Sequence, residues 1–364
     1  MTLAASLPDL VGMAFAPLNP FLQSPDVVEI CVNRPGCVFV ERSSGQMTGM
    51  EEHAIPELTA ERIRFMAERI AAASHQFVND EEPILSASLS DGERVQAVLP
   101  PAALDGGAIV IRRQTSSRLT LADYGRTGAL AGARIIDSAE ILTQDEAHLC
   151  HLLDKGDLER FFSEAVQRRV SILVSGGTGS GKTTFLNALL QEIPRSERLI
   201  TIEDTPEISH AQPNHVRLIA TRGQQNIANV DPCHLVEASL RMRPDRLLLG
   251  EIRGSEAMDF LQAINTGHPG SLSTVHANSP KGAYLRLALL IMQASGGAGL
   301  NQTDMINALQ QALPLTVQIA RVGGRPGVVT EIFYEPFLRW ADMQGDASPH
   351  PVVQVFGDGR RLQR

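Results

Sequence analysis

Residues 170–190, VSILVSGGTGSGKTTFLNALL, leave the chain little choice of local fold. The apolar run up to Ser175 reads as a buried strand, and the apolar spacing after Lys182 reads as a helix. Between them stand Gly176, four residues, Gly181, Lys182 and Thr183, which is the spacing of a phosphate-binding loop in its strand–loop–helix context. Glycines suit this turn because backbone N–H groups must approach an anion closely, where Cβ atoms would obstruct, and the helix N-terminus behind them favours negative charge. Gly177, Thr178, Gly179, Ser180, Gly181, Lys182, Thr183 and Thr184 are therefore the candidate nucleotide-binding residues, with Lys182 on the β- and γ-phosphates and the Thr183 hydroxyl placed for magnesium.

Two further strands end in carboxylates. RLITIEDTPEI (residues 198–208) closes on Glu203 and Asp204, beside Pro206 and Glu207, at the strand ends where α/β proteins bind ligands. LRMRPDRLLLGEIRG (residues 240–254) presents Gly250 where a metal-binding aspartate commonly stands, and Glu251 one step beyond. Glycine offers a metal nothing, whereas a carboxylate at that position reaches a water lined up behind a γ-phosphate. Last, INTGHPGSLSTVHANSP (residues 264–280) carries His268 and His276, eight residues apart, which by themselves read as ordinary polar residues and have no partner at metal-ligand spacing.

At 364 residues the chain is long enough for two domains. Residues 26–42, DVVEICVNRPGCVFVER, read as a hairpin turning at Pro35 and Gly36; Thr59 caps a helix through AERIRFMAERIAAAS; GERVQAVLPP and GAIVIRRQ follow as strands. This describes an α+β N-terminal domain over 1–115. Residues 116–145 lack a sustained period and are expected to link it to a second domain, 146–364. There LERFFSEAVQRR reads as a helix, and strands at 170–175, 198–203 and 246–250 alternate with helices. The tail after Trp340 is expected to pack loosely.

A net charge of −9 and 4% aromatic residues provide neither the basic groove nor the stacking platforms of a nucleic-acid motor, so no tight nucleic-acid binding is expected. The four cysteines show no pairing pattern and are expected to be reduced. The N-terminal stretch lacks a basic region and contains Asp9, unlike a signal peptide, and the best later apolar run, residues 287–292, is too short to span a bilayer; any membrane contact is expected to be peripheral.

The four blocks GGTGSGKTT, TIEDTPE, LLLGEIRG and TGHPGSLSTVHANS, in this order, resemble the secretion-ATPase superfamily, and within it the traffic ATPases of type IV secretion. VVEICVNRPG, GERVQAVLPP and AIVIRRQ extend the resemblance to most of residues 20–335. The absence of a four-cysteine zinc motif sets the chain apart from many type II secretion and type IV pilus motors, which remain the alternative. The resemblance implies an α/β fold: a small α+β domain joined by a linker to a RecA-like P-loop ATPase domain with a mostly parallel, helix-covered sheet. It also implies a homo-hexameric ATPase using ATP and Mg2+, cytoplasmic and peripheral at the inner membrane, with inner-membrane secretion-complex proteins and coupling or assembly ATPases as partners. By the same resemblance Thr183 and Glu203 belong to the metal shell, Glu251 is the candidate catalytic base with Glu203 as the alternative, and His276 is a phosphate sensor. Arg94, Arg112 and Arg113 are candidates for nucleotide contacts near a domain or subunit interface. Two other readings of the same motifs are a helicase and a nucleotide-gated scaffold that barely hydrolyses.

Overall fold

The computed structural model describes residues 12–43, 49–89, 92–113, 120–133, 142–221, 227–228, 230–294, 301–344 and 353–354. Among these residues the strands form two sheets. The first has six strands in the order β3-β2-β1-β6-β5-β4, all antiparallel: β1 (Val27–Arg34), β2 (Cys37–Arg42), β3 (Glu51–Ala54), β4 (Ile84–Ser88), β5 (Arg94–Val98) and β6 (Ala108–Arg112). Pro35 and Gly36 make the expected β1–β2 turn, with Gly36 at φ +85. Helix α1 (Ala60–Ala73) starts where expected, the Thr59 side chain accepting from the Arg62 N–H, and it buries Ile63, Met66, Ala67 and Ile70 against one sheet face.

Within residues 116–145, expected to form a linker, the structure adds a helix, α2 (Leu121–Arg126), closed by a reciprocal capping box between Thr120 and Asp123. The signal was a short Thr-x-x-Asp rather than a hydrophobic period, since Leu121 and Tyr124 stay exposed.

Helices α3 (Gln144–Lys155) and α4 (Leu158–Gln167) lead into the second sheet, of order β14-β13-β12-β7-β11-β10-β8-β9. Its strands are β7 (Ile172–Gly176), β8 (Leu199–Glu203), β9 (His215–Ile219), β10 (Arg246–Leu249), β11 (Leu272–Val275), β12 (Leu315–Val322), β13 (Arg325–Tyr334) and β14 (Val353–Gln354). Pairing is parallel from β12 through β7 to β9 and antiparallel from β12 to β14. Helices α5 (Lys182–Leu190), α6 (Pro232–Leu240), α7 (Glu256–Asn265), α8 (Pro280–Ala294) and α9 (Gln302–Ala312) accompany it; α10 (Glu335–Met343) follows β13. Apart from that helix's last turns and β14, the tail after Trp340 lies outside the described residues.

Strand residues alternate between two cores. Leu173, Ile200, Ile202, Leu247 and Leu249 face α6 to α9, while Ile172, Val174, Leu199 and Leu248 face α3 to α5. Burial on both faces explains why these strands read as unbroken apolar runs.

The two sheets meet at β9. Ala103 pairs with Leu218, the Ile219 N–H donates to the Ala102 carbonyl (2.8 Å) and the Leu104 N–H to the Arg217 carbonyl (3.0 Å). Polar ties surround this seam: Asn33 Nδ2 donates to Asn214 Oδ1 (2.8 Å), Arg198 Nη1 to Asn33 Oδ1 (2.6 Å), and Arg243 binds both oxygens of Glu41 (2.6 and 2.7 Å).

At the start of β10 the Arg246 side chain is fully buried and forks onto Glu197 (2.6 and 3.1 Å), with further donation to the Val166 carbonyl. Arg246→Ala strands the Glu197 carboxylate with Arg169, at 3.5 Å, as its remaining cation among the described residues. The expected destabilisation is about 3 kcal/mol, read as a lower denaturant midpoint; an unchanged midpoint would show that the pair adds nothing net.

Candidate active site

The phosphate loop leaves β7 and enters α5 as the sequence spacing requires. Gly181 caps the helix at φ +97, a conformation that favours glycine, and Lys182 is the first helical residue. Lys182 Nζ donates to the Gly177 carbonyl (3.1 Å) and lies 3.4 Å from His276 Nδ1. Burial pulls the ammonium below its ordinary pKa, opposed by the charge of Glu251.

His276 follows β11, the strand between β7 and β10, so the chain's order puts it beside both blocks. Its Nε2 stands 3.2 Å from Glu251 Oε1. Nδ1 thus faces the Lys182 ammonium and Nε2 the Glu251 carboxylate, so the ring bridges the two. The Arg253 guanidinium holds the other side of Glu251, Nη2 to Oε2 and Nε to Oε1 at 2.9 Å each, and reaches Asp204 at 3.0 Å. Burial raises the Glu251 pKa, but the Arg253 hydrogen bond and the nearby charges outweigh it and leave the carboxyl below its ordinary value. Lys182, His276, Glu251, Arg253 and Asp204 thus form one connected polar network at the C-terminal ends of the parallel strands, where such sheets bind ligands.

Glu203 is placed differently. It is buried, and its Oε1 accepts the backbone N–H groups of Glu207 (2.8 Å) and Ile208 (2.7 Å), holding the loop after β8. Burial raises its pKa in spite of these bonds. Asn187 on α5 ties the same loop, donating to the Glu207 carbonyl and accepting from the Ser209 N–H. The carboxylate delivered to the phosphate loop is that of Glu207, whose Oε2 accepts from the Thr183 hydroxyl at 3.1 Å.

The glycine of LLLGEIRG now has a steric reason. A Cβ on Gly250 would stand 3.2 Å from Glu203 Cγ, so the small residue leaves room for the buried glutamate. Glu207 and Arg253 both lie inside blocks legible as motifs, yet their roles depend on which way the loops after β8 and β10 turn.

The structure does not bring the three arginines to this network. Arg94 and Arg112 are paired across β5 and β6 and line a separate cavity of about 610 Å³, together with Arg241 beyond α6. Arg113 donates to the carbonyls of Ser24 and Val27 instead. His268 Nδ1 lies 3.2 Å from the Ala263 carbonyl, at the far end of β11 from His276. All four cysteines are free. Among the described residues no three His, Cys, Asp or Glu side chains converge on a metal position, and no helix is long and apolar enough to cross a membrane.

The profile of the family described as "Type II/IV secretion system protein" matches residues 13–322. The VirB11 type IV secretion system protein of Bartonella quintana is 37% identical over 331 residues, covering 88% of this chain and 92% of that protein. Its counterpart in Brucella suis is 38% identical over 333 residues, covering 90% of each. The crystal structure of the Brucella suis VirB11 ATPase in complex with sulphate superposes with a TM-score of 0.82 at 38% identity, covering 91% of this chain and 99% of that one. Phosphate loop, acidic strand ends and histidine at one sheet edge, with relatedness along nearly the whole length, lead to one conclusion: the chain belongs to the VirB11 family of type IV secretion ATPases.

Proposed function

We propose that this ATPase works as a ring, six subunits closing on ATP, at the cytoplasmic face of the inner membrane, where it powers substrate transfer or pilus assembly within a type IV secretion complex. The observation that carries the chemistry is the network joining Lys182, His276 and Glu251 beside the phosphate loop. The chain divides into an N-terminal unit over 1–115, a linker over 116–145 and an ATPase unit over 146–364.

In the reaction a water oxygen attacks the γ-phosphorus, the bond to the β,γ-bridging oxygen breaks, and ADP and phosphate leave. The loop N–H groups and Lys182 hold the phosphates, and Glu251 takes the water's proton. His276 holds Glu251 toward Lys182, so it feels whatever occupies the space over the loop. The hard oxygens of the Thr183 hydroxyl and the Glu207 carboxylate fit the donor set that Mg2+ prefers. These two residues would hold the ion; when bound, it neutralises phosphate charge. Glu203 supports the site from beneath by fixing the loop that carries Glu207.

Arg94 and Arg112 serve a neighbouring subunit's nucleotide in this reading, since within one chain they face another cavity. Arg113 anchors the N-terminal segment. Mixing Lys182→Ala subunits with Arg94→Ala/Arg112→Ala subunits tests this. Each variant alone is expected to be inactive, while a random mixture regains about a quarter of the parental sites because some interfaces combine an intact loop with intact arginines. No recovery on mixing would remove the arginines from the neighbour's site.

A further inference from the structure

The β12–β13 hairpin lies against the outer side of the phosphate loop. The Gly327 N–H donates to the Ser180 carbonyl at 2.7 Å. The Arg321 guanidinium donates through Nη2 to the Gly179 carbonyl (3.2 Å) and through Nη1 to the Gly324 carbonyl of its own turn (3.0 Å). Among the described residues its guanidinium meets no carboxylate. The approach is close: a Cβ on Gly181 would stand 2.9 Å from the Gly327 nitrogen, and one on Gly176 would stand 2.4 Å from the Ile319 carbonyl oxygen. Both glycines of the motif are therefore demanded by the hairpin as well as by an anion.

In a trans peptide the C=O and the following N–H point opposite ways. Holding the Gly179 and Ser180 carbonyls outward turns the N–H groups of Ser180 and Gly181 into the loop, where the Ser180 N–H makes a long 3.3 Å turn bond to the Gly177 carbonyl. Donors whose peptide planes are already set need less reorganisation when an anion arrives.

We propose that the β12–β13 hairpin is the positioning element of the phosphate loop, with Arg321 and the Gly327 N–H fixing the two peptide planes whose N–H groups receive the nucleotide phosphates. Arg321 acts through the loop and is a positioning residue. The inference rests on residues 176–184 being the phosphate site.

The test compares Arg321→Ala, Arg321→Gln, Arg325→Ala and Lys182→Ala in the full chain. It reads ADP affinity by calorimetry, ATP turnover and unfolding temperature. Arg321→Ala is expected to raise the Kd for ADP and the KM for ATP about fivefold to tenfold, the scale of one charge-assisted hydrogen bond, with kcat changed by less than about twofold. Arg321→Gln, which keeps an amide donor, falls between, and carries the comparison if the alanine variant does not fold. Arg325→Ala, on the same turn, keeps parental affinity. Unchanged ADP affinity in Arg321→Ala, with or without a lower unfolding temperature, would overturn the proposal, as would equal weakening by Arg325→Ala, which would reveal surface charge alone. Parental ADP binding by Lys182→Ala would instead overturn the assignment of the loop itself.

Discussion

Glu251→Gln is expected to lower the ATP turnover number by about 10²- to 10⁴-fold, the range of a lost general base, while ATP affinity stays near the parental value. Glutamine keeps the size of the side chain and an oxygen for His276 and Arg253, but it cannot take a proton. Glu203→Gln is expected to do much less, because the amide oxygen still accepts the Glu207 and Ile208 N–H groups. Single-turnover hydrolysis with preformed ATP complexes distinguishes the two; a larger loss in Glu203→Gln would move the general base to that residue. The pH profile adds a check. The folded Glu251 carboxyl lies below its ordinary value, so the basic form persists downward through the usual carboxylate range and is lost only as pH falls through the depressed pKa. Turnover should therefore stay flat on the acid side of neutrality, with its acid limb set by this group appearing below that range.

Lys182→Ala is expected to reduce kcat/KM for ATP by about 10²- to 10³-fold, the cost of removing one preorganised charge-stabilising donor. Lys182 is 8% exposed and held by the Gly177 carbonyl, so no other cation takes its position without the loop rebuilding. Arg253, the other cation of the network, is already shared between Glu251 and Asp204. Turnover within about tenfold of the parent would mean that the loop N–H groups alone carry the phosphate charge.

Much of this arrangement is legible in the amino-acid sequence. The strand–loop–helix around Lys182 follows from glycine spacing and apolar periodicity, which are local properties. The helix after Thr59 and the turn at Pro35 and Gly36 follow from capping and turn chemistry of the same short range. The features that escape sequence reading are long-range. The antiparallel pair β12 and β13 occupies a sequence with no chemical motif, and only pairing with β7 brings it over the phosphate loop. Glu207 outranks Glu203 as the carboxylate nearest Thr183 because the loop after β8 folds back on the Glu203 carboxylate. The paired arginines Arg94 and Arg112 sit on the strands expected of them, yet which cavity they face depends on how the first sheet docks on β9. Local pattern reveals which side chains a strand offers, whereas packing decides to whom.

Strand β9 ends the parallel array, and its outer edge is occupied by residues 102–104, contributed by the N-terminal sheet's own connection between β5 and β6. An ATPase half synthesised without that segment carries an open row of amide and carbonyl groups beside Leu218, an invitation for strands of other chains to add on. Residues 102–104 thus act as an edge guard, closing the row that strand exchange or aggregation would otherwise use.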